Sequence, residues 1–194
     1  HAYSNLFQWA GASAALKIAK QNGYQDIEIQ AQELKDKAAA HIESCYDEER
    51  KVYRNASEGS DLDASTLQLI MRHYLDPNSE RAKLHLNELE KVLKGKNGLF
   101  YRYLHQDDFG KPQSTFLVCA FWYVEAIACV GRIDEAQEIF HNLMGYSNHL
   151  GLFSEDVHEE DGSQWGNFPQ AYSHVGLMNA AYRIATKLDR PIFT

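Results

Sequence analysis

Residues 114–127 read Ser114-Thr-Phe-Leu-Val-Cys-Ala-Phe-Trp-Tyr-Val-Glu-Ala-Ile127, a segment that is apolar on nearly every side when it is wound as a helix. A helix that is apolar all round is buried all round. The segment therefore predicts a central helix that begins at Ser114 and is closed by Gly131. A protein organised around such a helix must surround it with other elements.

Apolar residues recur at spacings of three and four along most of the remaining chain, which is typical of amphipathic helices. Strand-like alternation is scarce. Six further helices are predicted, over residues 3–22, 25–46, 61–77, 79–94, 133–144 and 168–187. More apolar members alternate with more amphipathic ones, with short turns at one end and long polar loops at the other. The pattern predicts an all-α protein with an inner and an outer ring of helices.

The composition excludes several classes of partner. Asp and Glu total 27 against 19 Lys and Arg, and no basic stripe is present that could neutralise a phosphate backbone. We therefore expect no nucleic-acid partner. No apolar run approaches the ~18 residues needed to cross a bilayer, so we expect no membrane partner. The expectation is a soluble globular chain with a cytoplasmic location.

Cysteine and histidine patterns argue against disulfide and metal chemistry. The three cysteines are an odd number, and Cys119 and Cys129 lie on different faces of one predicted helix. The nine histidines include no pair four apart on a helix, which is a common spacing for metal ligands. The sequence thus predicts no disulfide framework, no metal site and no cofactor.

One carboxylate stands out in the long loop before the last predicted helix. The segment Gly151-Leu-Phe-Ser-Glu-Asp156 places Glu155 just after an apolar pair that would anchor it. A carboxylate held in this way can activate a water molecule. The alternative is that Glu155 belongs to a solvated acidic loop. A calcium loop fails, because its first ligand position would fall on Val157.

Four segments of the chain, taken together in their order along the sequence, form a recognisable pattern. They read Ser60-Asp-Leu-Asp-Ala-Ser-Thr-Leu-Gln-Leu69, Gly98-Leu-Phe-Tyr-Arg-Tyr103, Phe116-Leu-Val-Cys-Ala-Phe-Trp122 and the stretch Gly151–Asp156 followed by Gly166-Asn-Phe-Pro-Gln-Ala-Tyr-Ser-His-Val-Gly-Leu-Met-Asn-Ala-Ala181. In order and in approximate spacing this set resembles family 15 of the glycoside hydrolases, the glucoamylase family. The resemblance extends over essentially the whole chain.

The resemblance implies a larger fold than this chain could complete. Members of the family form an (α/α)6 barrel of six helical hairpins, and the seven predicted helices would be about the sixth to the twelfth. Residues 1–194 would then be the C-terminal part of a single catalytic domain. The family's catalytic acid, in a Trp-Glu pair absent from this chain, would lie upstream of His1. We therefore expect the missing N-terminal half of the same protein as a partner, and a truncated or cleaved chain that is inactive alone.

The same resemblance assigns roles to four residues. It implies that Glu155 is the catalytic general base, that Arg102 hydrogen-bonds sugar hydroxyls, and that Tyr172 and Phe116 are aromatic contacts to the substrate. Guanidinium groups and aromatic faces are suited to sugar binding. The family often has a glutamate at the position of Gln113, so the charge of the outer subsite differs here.

Each of these residues also has a purely structural interpretation. Arg102 could be a surface arginine paired with Asp107 or Asp108, and the two aromatic residues could be core side chains at helix starts. Asp63 is expected to be structural, completing a helix N-terminus through its interaction with the helix dipole.

The function implied by the resemblance is hydrolysis of α-glucosidic bonds with inversion, releasing glucose from the non-reducing end of an α-glucan or small α-glucoside. A glucan 1,4-α-glucosidase is the leading expectation, with trehalase and α-1,6-glucosidase as alternatives. A different class is a helical-repeat scaffold, since residues 131–140 look like part of such a repeat, although no second copy occurs. A third hypothesis is a catalytically inactive sugar-binding relative.

Overall fold

The computed structural model describes residues 1–108 and 110–190. The chain divides into two compact units, His1–Asp61 and Leu62–Thr194. In the described part of the chain, no helix is long and apolar enough to span a membrane.

The first unit is a helical hairpin followed by a short strand pair. Helix α1 (Ala2–Asn22) and helix α2 (Gln25–Glu43) pack on each other, as the apolar spacing predicts. Gly23 ends α1 with φ +72, a left-handed conformation that glycine adopts without steric cost. Strands β1 (Tyr46–Asp47) and β2 (Val52–Tyr53) then pair antiparallel. The predicted second helix is therefore too long by a few residues, because Tyr46 is paired with Tyr53.

The second unit holds five helices and three short strands within the described residues. In chain order they are α3 (Gln68–Met71), α4 (Glu80–Leu93), β3 (Thr115–Phe116), α5 (Leu117–Cys129), α6 (Ile133–Met144), β4 (Asp156–Val157), β5 (Gln164–Trp165) and α7 (Ala171–Lys187). Two 3-10 turns, Ala64–Leu67 and Lys96–Gly98, precede α3 and follow α4.

Helix α5 is the centre of this unit, as its sequence predicts. Every residue of α5 except Trp122 is buried, and the helix packs against α3, α6 and α7. Gly176 of α7 faces Phe121 so closely that an added Cβ would lie 3.0 Å from the Cβ of Phe121. The missing side chain thus lets α7 approach α5 at short range.

The third predicted helix, over residues 61–77, is wrong in its extent. The structure has a 3-10 turn and one turn of α-helix there, and His73 has a positive φ of 57° that ends any helical continuation. Asp63 is the N-cap, accepting from the amide of Ser65 at 2.8 Å, so its expected structural role is confirmed.

Two other predicted helix starts are wrong, and both errors lie close to the loop of Glu155. The central helix begins at Leu117 instead of Ser114, because Thr115 and Phe116 pair with β4. The last helix begins at Ala171 rather than at residue 168. Gln170, in an extended conformation, caps it by accepting from the Tyr172 amide at 3.4 Å.

The three strands form one antiparallel sheet in the order β3-β4-β5. Phe116 lies opposite Asp156, which in turn lies opposite Trp165. This sheet joins the start of the buried helix α5 to the loop that carries Glu155.

Candidate active site

The backbone of Glu155 is held on both sides. Its amide donates to the carbonyl of Asn167 at 2.9 Å, and its carbonyl accepts from the amide of Leu117 at 3.1 Å. Leu117 is the first residue of α5 and is fully buried. The position of Glu155 is therefore tied to the most deeply buried helix of the unit.

The two carboxylate oxygens of Glu155 have different surroundings. Oε2 accepts from the backbone amide of Asn167 at 3.1 Å and from Nδ2 of the same residue at 2.8 Å. No residue within the described ranges donates to Oε1. Such a carboxylate is oriented by one oxygen and keeps the other for a ligand or a water molecule.

Gly166 makes room for this carboxylate. Its φ is +75, and an added Cβ would lie 2.9 Å from both Cβ and Oε2 of Glu155. A residue with a side chain at this position would meet both the backbone penalty of a left-handed conformation and a collision with Glu155.

The residues just before Glu155 are anchored in the core. Phe153 is fully buried and meets the ring of Phe121 edge-on at 5.7 Å between centroids. Its carbonyl accepts from the amide of Gln170 at 2.9 Å, and the carbonyl of Ser154 accepts from Oγ of Ser173 at 2.7 Å. The loop that carries Glu155 is thus fastened to both α5 and α7.

Arg102 is paired with Asp63. Its Nε lies 3.4 Å from Oδ2 of Asp63, whose side chain is buried, while the arginine side chain is 52% exposed. The carbonyl of Arg102 also accepts from the amide of Ala64 at 2.7 Å. Among the described residues none accepts from the two terminal nitrogens of Arg102. Those nitrogens remain available to a ligand.

Glu155, Arg102 and Phe116 meet in one open cleft of about 290 Å³. Its other described lining residues are Tyr103, Asp107, Gly110, Lys111, Pro112, Ser114 and Asp156. Tyr172, in the first turn of α7, is 65% exposed and is not one of the lining residues. The structure therefore brings three of the four candidate residues together and leaves Tyr172 apart from them.

Asp156 and Ser114 are among the polar residues of the cleft that are missing from the sequence-based set. Ser114 donates from Oγ to Oδ2 of Asp156 at 2.6 Å. Burial, together with the nearby charge of Glu155, raises the pKa of Asp156 above its ordinary value. The sequence places Ser114 at the start of the central helix and assigns no role to Asp156. The adjacency of Asp156 to Glu155 was the one sequence signal that could have identified it.

The remaining acidic residues of the loop also have defined partners. Glu159 accepts from the hydroxyl of Tyr101 at 2.7 Å and from the amide of Lys96 at 3.1 Å, and these donors lower the pKa of Glu159. Glu160 pairs with the ammonium of Lys96 at 2.6 Å. These contacts tie the loop to the segment that follows α4.

Within residues 1–108 and 110–190, no group of three or more His, Cys, Asp or Glu side chains could hold a metal ion. Cys45, Cys119 and Cys129 are all buried free thiols.

The fold and this cleft define a class of protein. A bacterial glucoamylase, solved in complex with acarbose, matches 99% of this chain and 34% of its own, with a TM-score of 0.78 at 15% sequence identity. The likeness shows the fold: the chain is all-α and has the architecture of part of an (α/α)6 barrel. The class is that of proteins built on an (α/α)6 helical barrel.

The family follows from the sequence as a whole. The model of the family described as "Glycosyl hydrolases family 15" matches residues 1–182. The chain belongs to glycosyl hydrolase family 15.

Curated relatives support this membership. A trehalase from Thermoplasma volcanium is 30% identical over 193 residues, which are 99% of this chain and 30% of the relative. A trehalase from Mycobacterium tuberculosis is 28% identical over 184 residues, which are 93% of this chain and 27% of the relative. The chain thus spans about a third of the length of these relatives or less.

Proposed function

We propose that this chain carries the general base, Glu155, of an enzyme that hydrolyses α-glucosidic bonds with inversion and releases glucose from the non-reducing end of its substrate. One observation carries the proposal. Glu155 has one oxygen fixed by Asn167 and the other without a donor, in a cleft that also contains Arg102 and Phe116. Family membership supplies the reaction class.

The proposed role of Glu155 is to remove a proton from the attacking water. In an inverting glycosidase, an ionised carboxylate activates water on one face of the sugar, while a carboxylic acid protonates the leaving oxygen on the other face. Donation from Asn167 to Oε2 orients the group. Oε1 is then the oxygen that would accept the proton from water.

Arg102 and Phe116 would bind the sugar. Asp63 holds Nε of Arg102, so its terminal nitrogens can donate to sugar hydroxyls without a change in charge. Phe116 offers an apolar ring to the C–H surface of the sugar at the same cleft. Tyr172 is proposed as an outer contact, because it lies exposed on the surface at the start of α7.

We propose trehalose as the preferred substrate. From the sequence alone, an α-1,4-glucan is the leading expectation, with trehalose and α-1,6-linked substrates as alternatives that the family pattern does not separate. Two curated relatives that span nearly all of this chain are named trehalase. The match of residues 1–182 to a hydrolase family also covers residues 131–140, which weakens the helical-repeat hypothesis.

The general acid is proposed to come from another part of the same protein. The chain spans about a third of its curated relatives and contains no Trp-Glu pair. An apolar stripe on α7 offers a surface on which further chain could pack, and its members are Val175, Met178 and Tyr182, all exposed. The proposal therefore assigns catalysis to the longer polypeptide and none to residues 1–194 alone.

The test uses the complete polypeptide with trehalose, maltose, isomaltose and starch. Trehalose should be the best substrate, and NMR of the first product formed should show inversion at the anomeric carbon. Glu155→Gln should lower kcat by at least about a thousandfold while leaving the affinity for substrate nearly unchanged. The matched control is Glu160→Gln, the same change on an exposed carboxylate of the same loop.

Three outcomes would overturn parts of the proposal. Near-normal turnover by the Glu155→Gln variant would remove Glu155 from the chemistry. Retention of anomeric configuration would exclude the general-base role. Hydrolysis of trehalose by residues 1–194 alone would show that no second part of the protein is required.

A further inference from the structure

Asp156 lines the same cleft as Glu155 and follows it directly in the chain. We propose that Asp156 binds a hydroxyl group of the glucosyl unit held beside Glu155, and that Ser114 positions the Asp156 carboxylate for this contact. The inference rests on the proposed function, since it assumes a sugar in this cleft.

The two oxygens of Asp156 are used unequally. Oδ2 accepts from Oγ of Ser114 at 2.6 Å. No donor to Oδ1 is found in residues 1–108 or 110–190. The side chain is half-buried and lines the open cleft, so Oδ1 is an acceptor that the described protein groups leave available there. A ligand hydroxyl can supply the missing donor.

The backbone of Asp156 is held by strand pairing on both sides, which restricts the orientation of its side chain. Asp156 is the first residue of β4 and is paired with Phe116 on one side and Trp165 on the other. Its carbonyl also accepts from Oγ of Ser154 at 2.6 Å. With the backbone held by two strands and one oxygen held by Ser114, the direction of Oδ1 is largely set before any ligand arrives.

The position of Asp156 beside Glu155 favours hydroxyl binding over proton donation. Burial and the charge of Glu155 disfavour the ionised form of Asp156, and a hydroxyl that donates to Oδ1 would offset this cost. An inverting enzyme needs its acid across the sugar from its base. Asp156 directly follows Glu155 in the chain, so it does not meet that requirement.

The experiment measures kcat/KM in the complete enzyme for a glucoside and for its four analogues that lack one hydroxyl at position 2, 3, 4 or 6. Asp156→Ala should lower kcat/KM for the parent glucoside roughly tenfold or more. For one deoxy analogue, the Asp156→Ala variant and the unsubstituted enzyme should have nearly equal kcat/KM, because that analogue lacks the hydroxyl that Asp156 contacts. Ser114→Ala removes the hydrogen bond to Oδ2 but keeps the Asp156 carboxylate. It should lower kcat/KM less than Asp156→Ala does, and this smaller loss should also disappear for that analogue.

Two further variants separate binding from folding. Asp156→Asn keeps the volume and an acceptor for Ser114, and it should show an intermediate loss at unchanged thermal stability. Asp161→Ala, on an exposed loop carboxylate that accepts from Ser163 at 2.9 Å, should leave the substrate pattern unchanged. A loss of the same factor on every substrate, including all deoxy analogues, would overturn the inference and leave Asp156 a structural residue.

Failure of the proposed function is distinguishable from failure of this inference. If the unsubstituted enzyme hydrolyses none of the glucosides, the same comparison is made by NMR titration with glucose and its deoxy analogues. Weaker binding of glucose by the Asp156→Ala variant would then support the inference, although the hydrolytic function had failed. Equal binding by the two proteins, or binding by neither, would overturn it.

Discussion

Arg102 donates from Nε to Oδ2 of Asp63 across 3.4 Å, at the edge of the cleft that contains Glu155. The other oxygen of Asp63 caps the 3-10 turn Ala64–Leu67 by accepting from the amide of Ser65 at 2.8 Å. One buried carboxylate therefore both caps the start of a helical turn and orients a guanidinium. The terminal nitrogens of Arg102 have no acceptor among the described residues and can donate to a ligand.

Replacing Asp63 by Asn should weaken substrate binding while the turn is kept. Asn is as good an N-cap as Asp, but its neutral oxygen attracts Arg102 less strongly. We expect KM to rise roughly tenfold, equivalent to about 1.4 kcal/mol, with a smaller change in kcat. Steady-state kinetics on the best substrate of the complete enzyme measure both.

The control for Asp63 is the double variant with Arg102→Ala. If Asp63 acts through Arg102, adding Asp63→Asn to Arg102→Ala should cause little further loss. Additive losses would show that Asp63 acts through the fold alone.

Gly166→Ala should damage both stability and catalysis. A non-glycine residue at φ +75 costs about 1–2 kcal/mol, and the new Cβ would lie 2.9 Å from the Glu155 carboxylate. Because a displacement of about 1 Å can cost about a hundredfold in rate, we expect kcat to fall by that order. Gly151→Ala is the control, since Gly151 has φ +76 and no atom within 4 Å of the added Cβ.

Both glycine variants should lose similar stability in denaturant titrations. Only Gly166→Ala should lose turnover per folded molecule. Equal kcat values for the two variants would mean that Glu155 tolerates the shift and is held less firmly than its contacts indicate.

Asn167→Ala should reduce kcat about tenfold, since it removes the 2.8 Å bond from Nδ2 to Oε2 of Glu155 but keeps the backbone donor at 3.1 Å. Asn167→Asp should be worse, because a second negative charge would face the carboxylate. Equal kcat values for the Ala and Asp variants would contradict this account. The exposed change Asn142→Ala on α6 serves as the control.

His85 should make the protein less stable in acid. The side chain is fully buried, and burial lowers the pKa of His85 from 6.5 to about 4, while Nε2 lies 3.1 Å from the carbonyl of Thr66. Between these two values the unfolded chain binds a proton that the folded chain does not. The free energy of unfolding should therefore fall as the pH drops through this window, by up to about 3 kcal/mol.

Urea titrations at several pH values would measure this loss. His85→Gln keeps a neutral donor for the Thr66 carbonyl and should make the free energy of unfolding less dependent on pH. The change His149→Gln, on an exposed loop histidine, should leave this pH dependence unchanged. An unchanged slope in the His85→Gln variant would assign the acid sensitivity to other groups.

Periodicity predicted the long helices well because each buries one face or, in α5, every face. It failed where the chain is organised by hydrogen bonds instead. Ser114, Thr115 and Phe116 continue the apolar helical pattern, yet two of them pair with β4, a partner about forty residues away in sequence. That pairing could not be inferred from local spacing.

Contacts between segments distant in sequence also limited what could be predicted of the candidate site. The family pattern identified Glu155, Arg102 and Phe116, which meet in one cleft. The bond between Ser114 and Asp156 depends on the strand pairing and was invisible to sequence reasoning, as was the choice of Asp63, rather than Asp107 or Asp108, as the partner of Arg102.

The hydrogen bond from the amide of Leu117 to the carbonyl of Glu155 couples the unfolding of the site to the unfolding of the core. Leu117 is the first residue of a helix that can open only when the core of the unit opens. Amide hydrogen exchange at Leu117 should therefore be as slow as in the middle of α5 and report global unfolding. The site would not melt ahead of the core, and activity lost on heating would coincide with the loss of the fold itself.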